Sequence, residues 1–169
     1  MPHIAKKVCI IGDFAVGKTS TVARFVKNVF SEKYLTTVGV KIDTKEMTLS
    51  DGRQLKMVIW DIAGSERFSA VEFSYLRGAQ AYVLVADGTR GETMTSALAL
   101  REAVEKRFGK LPFVLLVNKN DLQDSWEVSE EQIASLRQAG MVVLCTSART
   151  GQCVERAFRA LADALVATG

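Results

Sequence analysis

The residues Gly12-Asp13-Phe14-Ala15-Val16-Gly17-Lys18-Thr19 match the pattern GxxxxGK[ST], which is typical of loops that bind nucleoside triphosphates. The segment follows an apolar run and opens an amphipathic helical pattern, and this context makes the match specific. Backbone N–H groups of such a loop surround phosphate oxygens, and the helix N-terminus adds partial positive charge. We expect Lys18 to contact the β and γ phosphates and the Thr19 hydroxyl to bind Mg²⁺. By itself this loop leaves ATPases and small-molecule kinases open.

A second polar segment, Asn118-Lys119-Asn120-Asp121, follows an apolar run that ends at Val117. A carboxylate at this place can accept hydrogen bonds from both the ring N–H and the exocyclic amine of guanine, whereas adenine lacks that pair of donors. Because an unpaired buried acceptor is costly, such a site rejects the wrong base strongly. Thr146-Ser147-Ala148 is predicted to form the third edge of the base pocket. A guanine-nucleotide site is therefore predicted, which disfavours a small-molecule kinase.

Apolar runs that alternate with amphipathic helical segments must position these loops. Near-continuous apolar runs are typical of parallel strands buried on both faces, and they occur at 8–11, 81–86, 113–117 and 141–145. Apolar residues alternate on both sides of Asp51-Gly52, which predicts an antiparallel hairpin at one edge. Helical periodicity predicts apolar faces in three segments: Val22, Phe25, Val26 and Val29; Ala97, Leu100, Val104 and Phe108; Val154, Phe158, Leu161 and Leu165.

The predicted fold class is α/β, as in phosphate-loop NTPases. We expect a six-stranded, mostly parallel sheet with one antiparallel edge strand, and about five helices distributed over both faces. The ligand should lie at the carboxyl ends of the strands. Ser129-Glu130-Glu131-Gln132 predicts a helix start by its capping box, and Gly140 predicts the end of that helix.

Composition indicates an ordinary globular protein, with 169 residues, 48% hydrophobic and 24% charged, and we expect one domain over residues 1–169. A net charge of +3 without a basic block argues against nucleic-acid binding. No apolar run is long enough to cross a bilayer and the start resembles no signal peptide, so we expect a cytoplasmic monomer. Cys9, Cys145 and Cys153 should be reduced thiols. His3 is the only histidine, which argues against histidine-based catalysis.

Three segments resemble the Rab branch of the Ras superfamily of small GTPases, and the resemblance covers essentially the whole chain. Residues 60–68 (WDIAGSERF) are similar to WDTAGQERF, residues 37–40 (TVGV) to TIGV, and residues 75–79 (YLRGA) to YYRGA. The resemblance implies a GTP/GDP-binding switch with Mg²⁺ that hydrolyses GTP. It also implies effectors, an exchange factor and an activating protein as partners. The segments 32–42 and 63–78 should be ordered with GTP and looser with GDP.

The resemblance also implies roles for individual residues. Phe30 should pack edge-on against guanine, Tyr34 should cover the phosphates, and Lys119 should lie along the base and ribose. Thr37 and, through water, Asp61 should join Thr19 at Mg²⁺, and the Gly64 N–H should bond the γ phosphate. The predicted catalytic set is Lys18, Thr37, Gly64 and Ser65. The predicted nucleotide-binding set is Asp13, Phe14, Ala15, Val16, Gly17, Lys18, Thr19, Ser20, Phe30, Tyr34, Thr37, Gly64, Asn118, Lys119, Asp121, Ser147, Ala148 and Arg149.

Two positions depart from the family pattern in ways that bear on hydrolysis. Ser65 stands where the family has the glutamine that orients the attacking water, and serine is too short to do so in the same way. Phe14 stands where the family has a small residue, and its ring could crowd an incoming arginine. We expect slow hydrolysis; the alternatives are that another residue replaces the glutamine and that Phe14 points outward. A GTP-loaded binding scaffold with negligible hydrolysis is the second functional hypothesis.

Two further departures concern membranes and partners. The chain ends at Gly169 without the prenylated cysteines of Rab proteins, so either a lipidated tail is missing or the protein is not lipid-anchored. The surface that Rab effectors contact corresponds to Ile42, Trp60 and Leu76, of which only Trp60 is aromatic. An exposed Trp60 would suit a partner hot spot, and the alternative is a half-buried packing residue.

Overall fold

The computed structural model describes residues 3–27, 39–62 and 70–167. Within them, six strands form one sheet in the order β2-β3-β1-β4-β5-β6. The strands are β1 (His3–Gly12), β2 (Val40–Thr48), β3 (Gln54–Ile62), β4 (Ala81–Asp87), β5 (Phe113–Asn118) and β6 (Val143–Cys145). β2 pairs with β3 antiparallel, and all other pairs are parallel. The predicted sheet, with its antiparallel edge strand, is confirmed.

Five α-helices of the described chain cover the two faces of the sheet. They are α1 (Lys18–Lys27), α2 (Ala70–Tyr75), α3 (Gly91–Phe108), α4 (Glu130–Gln138) and α5 (Val154–Ala167). Helices α1 and α5 share one apolar cluster with the sheet, while α2, α3 and α4 share the other. Phe25 of α1 stacks on Phe158 of α5, with ring centroids 4.0 Å apart. The two clusters follow from strand geometry, because neighbouring residues such as Val8 and Cys9 point to opposite faces.

The hairpin between β2 and β3 forms where Asp51-Gly52 predicts it. Gly52 has a φ of 88°, a left-handed conformation that glycine adopts without steric cost. Met47 and Leu55 face each other across the hairpin, and both are buried. The alternating pattern therefore sets the register, since a slip by one residue would turn these side chains to solvent.

The helix α4 begins and ends at its predicted signals. The Ser129 hydroxyl accepts a hydrogen bond from the Gln132 N–H at 3.1 Å, and Gly140 follows the helix with a φ of 95°. The next strand is shorter than the apolar run at 141–145 suggests. β6 begins only at Val143, because the Met141 N–H still bonds to the Leu136 carbonyl.

Candidate nucleotide-binding site

The loop between β1 and α1 depends on two glycines for its close contacts. A Cβ on Gly12 would lie 2.3 Å from the Val85 carbonyl oxygen, so β1 and β4 could not approach as they do. Gly17 has a φ of 102°, and its Cβ would lie 2.3 Å from Nδ2 of Asn118. Ala15 is also left-handed, with a φ of 62°. These backbone angles curl the loop tightly before α1 begins.

Lys18 folds back over this loop from the first turn of α1. Its Nζ donates hydrogen bonds to the carbonyl oxygens of Gly12, at 3.0 Å, and Asp13, at 2.8 Å. The side chain is buried, and this burial lowers the pKa of Lys18 to about 8, although nearby carboxylates, led by Asp61, oppose the shift. A buried ammonium in a concave loop is electrostatically suited to phosphate oxygens.

The side-chain oxygens of Thr19 and Asp61, both of a type that can bind a metal ion, lie together beside the loop. The Thr19 hydroxyl donates to Oδ2 of Asp61 at 2.5 Å, and Asp61, near the end of β3, is only 1% exposed. A hydroxyl and a carboxylate fit Mg²⁺, which prefers oxygen ligands and usually retains water and phosphate oxygens as further ligands. Among the described residues no group of three or more His, Cys, Asp or Glu could hold a metal ion. With Mg²⁺, this pair would leave the remaining ligand positions to water and phosphate oxygens.

Asn118, at the end of β5, ties three loops together. Its Nδ2 donates to the Val16 carbonyl at 3.0 Å, and its Oδ1 accepts from the Thr146 hydroxyl and the Ala148 N–H, each at 3.2 Å. The side chain is 2% exposed. The phosphate loop and the two predicted base-binding segments are thus fixed to one another, and Asn118 acts here as a structural link.

Asp121 and Ser147 meet at the outer edge of the same site. The Ser147 hydroxyl donates to Oδ1 of Asp121 at 2.8 Å, and it accepts from the Thr150 N–H at 3.1 Å. Asp121 itself is exposed. Its carboxylate is therefore oriented and accessible, which are the two conditions for accepting hydrogen bonds from a guanine edge.

Lys119 and Arg24 link the base-binding segments to their neighbours. Lys119 has a φ of 70°, and its Nζ donates to the Ala15 carbonyl at 3.0 Å. Arg24 of α1 donates from Nε to the Ala148 carbonyl at 2.8 Å and from Nη2 to the Arg149 carbonyl at 2.5 Å. Arg149 is exposed and contributes its backbone to this contact.

Sequence reasoning missed Asp87 and Arg90, which lie against the phosphate loop. Arg90 donates from Nη2 to the Phe14 carbonyl at 2.8 Å, and Asp87 pairs with both Arg90 and Lys119. Asp87 ends β4 and thus shares the edge of the sheet with Asn118. Its place directly after an apolar run could therefore have identified it as a candidate site residue. Arg90 had no signal, because its contact spans 76 positions in the chain.

The comparisons with known proteins agree with this geometry. A family model described as Ras family matches residues 7–167. The chain belongs to the Ras family. It is 38% identical over 132 residues to Ras-related protein Rab-7L1 of Rattus norvegicus and to that of Mus musculus. The alignment covers 75% of this chain and 64% of each relative, so the chain spans less than two thirds of their length. The predicted resemblance to the Rab branch is confirmed.

Several predicted residues of this Ras-family chain lie outside the described residues: Phe30, Tyr34, Thr37, Gly64 and Ser65. Their assigned roles remain predictions. Ser20, in the first turn of α1, is partly exposed, whereas Val16 is fully buried. Phe14 is 49% exposed, as expected if its ring points outward.

The predicted partner surface is only partly present. Ile42 is 50% exposed on β2, opposite Trp60 of β3. Trp60 is half-buried: the Lys7 ammonium lies 3.7 Å from its ring centroid and the Tyr75 ring centroid lies 6.4 Å away. Leu76 is a correction, because it is fully buried in the apolar cluster under α2 and α3 and cannot present its side chain to a partner.

The burial of Leu76 follows from its spacing after α2. Its N–H bonds to the Phe73 carbonyl at 3.1 Å, which continues the helical turn, so Leu76 lies on the same face as buried Phe73.

Within the described part of this Ras-family chain, no helix has the length and apolarity needed to cross a bilayer.

Proposed function

We propose that this chain is a single GTPase domain over residues 1–169 that acts as a guanine-nucleotide switch. It binds GTP or GDP with Mg²⁺, hydrolyses GTP slowly, and recruits effectors through two segments in the GTP form. The observation that supports this most directly is the accessible Asp121 carboxylate, oriented by Ser147 and tied through Asn118 to the phosphate loop.

The arrangement supports guanine over other bases by its hydrogen-bond chemistry. Asp121 offers acceptors to the two donors on the guanine edge, and residues 146–148, held to Asn118 through the Ala148 N–H, would form the third edge of the base pocket. Adenine would leave the Asp121 carboxylate without matching donors, and such mismatches typically cost 10⁴–10⁵ in selectivity at sites built around hydrogen bonds, so ~10³ is a conservative expectation here.

The phosphate end of the ligand would meet Lys18, Thr19 and Asp61. Lys18 supplies a buried positive charge, and Thr19 and Asp61 would hold Mg²⁺, Asp61 through a water molecule. When bound, Mg²⁺ neutralises charge on the β and γ phosphates. Lys18 would exchange its contacts with the Gly12 and Asp13 carbonyls for phosphate oxygens, whose negative charge would oppose the lowering of its pKa by burial.

Two measurements test the nucleotide assignment. Chromatography of the denatured, freshly purified chain should release GDP or GTP rather than adenine nucleotides. A competition titration with fluorescent GDP should show GTP displacing it at concentrations at least about 10³-fold below ATP. Equal displacement by ATP and GTP would refute the assignment.

A second function, a GTP-loaded scaffold with negligible hydrolysis, is favoured by Ser65, which is too short to orient the attacking water as glutamine does. Phe14 does not favour either function, because its 49% exposure fits a ring that points outward. Single-turnover hydrolysis by the purified chain separates the two functions. Measurable phosphate release within hours supports the switch, and retention of intact GTP supports the scaffold.

A further inference from the structure

Asp87 is a buried carboxylate whose two oxygens have different partners. It ends β4 and is only 1% exposed. Oδ1 accepts from the N–H and the hydroxyl of Thr89, at 2.9 and 2.6 Å. Oδ2 accepts from Nε of Arg90 at 3.1 Å and from Nζ of Lys119 at 2.9 Å. One oxygen therefore shapes the turn after β4, and the other holds two cations.

The two cations reach successive carbonyls of the phosphate loop. Arg90 donates from Nη2 to the Phe14 carbonyl at 2.8 Å, and Lys119 donates from Nζ to the Ala15 carbonyl at 3.0 Å. In a planar trans peptide, each carbonyl points opposite to the N–H of the next residue. Fixing the Phe14 and Ala15 carbonyls therefore also fixes the directions of the Ala15 and Val16 N–H groups. Such N–H groups are the ones that a phosphate loop offers to its ligand.

The charge arrangement keeps Asp87 ionised despite its burial. Burial raises the pKa of this carboxyl, but hydrogen bonds from Thr89, Lys119 and Arg90 outweigh it and hold the pKa below its ordinary value. A buried carboxylate in contact with two cations anchors both of them firmly, because separating the charges would leave it uncompensated.

The turn that contains Asp87 is itself supported from behind. Residues 126–128 pack onto Gly88: the Glu127 N–H bonds to the Gly88 carbonyl at 2.7 Å, and Oε1 of Glu127 accepts from the Gly91 N–H at 2.7 Å. Arg90 lies between these two anchored glycines, so the position of its guanidinium is set by the turn and by Asp87 together.

We propose that Asp87 is a positioning residue that acts through Arg90 and Lys119 on the phosphate loop and thereby sets how long a guanine nucleotide stays bound. This inference rests on the proposed function, since it assigns a regulator of nucleotide release at the same site. Asp87 holds the loop in the conformation that binds phosphate, and its loss speeds release without changing which base is bound.

Asp87→Asn tests the proposal with minimal change of shape. The amide keeps an oxygen for Thr89 but replaces the acceptor for Arg90 and Lys119 with a donor. Displacement of fluorescent GDP by excess GDP should be about tenfold faster than in the wild type, as expected when a charge-assisted contact is lost. Asp51→Asn is the matched control, because it removes the same charge from an Asp–Arg pair at the β2–β3 hairpin. Its GDP release should match the wild type.

A double-mutant cycle separates positioning from a general structural role. Arg90→Met removes the contact with the Phe14 carbonyl while leaving Lys119 on Asp87, and it should speed GDP release severalfold. If Asp87 acts through Arg90, Asp87→Asn with Arg90→Met should release GDP little faster than Asp87→Asn alone. If the increases in GDP release rate of the two single variants multiply in the double variant, the proposal is overturned. It is also overturned if Asp87→Asn releases GDP at the same rate as Asp51→Asn.

The ratio of GDP to inosine diphosphate affinity adds a readout that depends on the base edge. It should be unchanged in Asp87→Asn, and a changed ratio would count against action through the phosphate loop.

Should Asp87→Asn fail to fold, Arg90→Met decides alone: release at the wild-type rate overturns the proposal. A wild type that binds no fluorescent GDP would defeat the proposed function itself, which is a different result from normal binding with unaltered release.

Discussion

The Asp121 carboxylate, which we propose recognises guanine, is oriented by the hydrogen bond that its Oδ1 accepts from the Ser147 hydroxyl at 2.8 Å. Asp121→Asn should lower GTP affinity on the order of 10²-fold or more, because the amide presents a donor to a donor. Xanthosine triphosphate, which has a carbonyl in place of the amine, should gain affinity. Competition titrations against both nucleotides measure the change. Asp124→Asn, an equal charge change on an exposed neighbour, is the control, and absence of a xanthosine preference would contradict the role of Asp121.

Ser65 determines the prediction for hydrolysis. Phosphoryl transfer of this kind depends on positioning and charge stabilisation, so a missing water-orienting amide should slow it about tenfold, or ~1.4 kcal/mol of barrier. Ser65→Gln should therefore raise the single-turnover hydrolysis rate about tenfold while leaving GTP affinity unchanged, since the amide acts mainly in the transition state. Ser50→Gln on the exposed hairpin is a control for the substitution itself. If the wild type already matches Ser65→Gln, another residue orients the water.

For single residues, the sequence predicted which side chains belong to the candidate site better than it predicted which side chains touch each other. The loop pattern predicted that the Lys18 and Thr19 side chains lie beside this loop, and they do, because motif spacing fixes local geometry; their contacts with phosphate and Mg²⁺ remain predictions. Arg90 could not be found, since its contact with Phe14 depends on how β1 and β4 pack side by side. Leu76 was misplaced because a family surface position says nothing about whether the local turn directs the side chain inward.

The elements were largely predictable because hydrophobic periodicity reflects burial directly. Met47 and Leu55 alternate with polar neighbours and are buried, and Phe158 lies on the predicted apolar face of α5. The start of β6 was not predictable, since the apolar pattern cannot tell that the Met141 N–H bonds to the end of α4. Pattern therefore determined the existence and order of elements, and tertiary hydrogen bonds determined their ends.

The contact between the β4–α3 turn and residues 126–128 gives a prediction about elements. A Cβ on Gly88 would lie 2.1 Å from Cη2 and Cζ3 of Trp126. Gly88→Ala should lower the free energy of unfolding by about 1–3 kcal/mol, as overpacking does, and should show it in urea unfolding. Gly91→Ala, whose Cβ would meet only Oε1 of Glu127 at an ordinary 3.6 Å, is the matched control.

Removing the Trp126 ring tests whether its clash with a methyl group at position 88 causes the loss of stability. Adding Trp126→Ala to Gly88→Ala should cost less than Trp126→Ala costs in the wild type, because the ring that blocks the methyl group is gone. Additive effects would show that the Trp126 ring is not the cause of the lost stability.

The segment 32–42, which is predicted to be ordered with GTP and looser with GDP, gives a second prediction about elements. Thr37 is predicted to bind Mg²⁺ only while the γ phosphate is present, so Thr37→Ala should leave GDP affinity nearly intact but prevent the segment 32–42 from closing. Hydrogen exchange of residues 32–42 should be slower with a GTP analogue than with GDP in the wild type and equal in Thr37→Ala. Thr48→Ala, on the exposed face of β2, is the control. Equal exchange in both nucleotide states of the wild type would refute this prediction.

At the scale of the whole molecule, the candidate site joins the carboxyl ends of separate strands. Gly12 ends β1, Asp87 ends β4 and Asn118 ends β5, while Thr146 directly follows β6. The same sheet divides the core into one apolar cluster under α1 and α5 and another under α2, α3 and α4. A ligand bound across this edge would contact loops that belong to both layers, so its binding should stabilise the molecule against global unfolding rather than one segment alone.

This coupling predicts a nucleotide-specific change in thermal stability. GDP with Mg²⁺ at 100 times its Kd should add about 2.7 kcal/mol to the free energy of unfolding, because it binds only the folded chain. For a domain of this size, ~1 kcal/mol corresponds to about 2–4 °C, so Tm should rise by roughly 5–11 °C in differential scanning fluorimetry. ADP at the same concentration is the control and should leave Tm unchanged, since it mismatches Asp121. Chelating Mg²⁺ with EDTA should reduce the GDP effect, because it would remove the cation that we propose Thr19 and Asp61 share with the phosphates. An equal rise with ADP would mean that the phosphate loop alone accounts for binding, and the base-binding role of Asp121 and Ser147 would have to be abandoned.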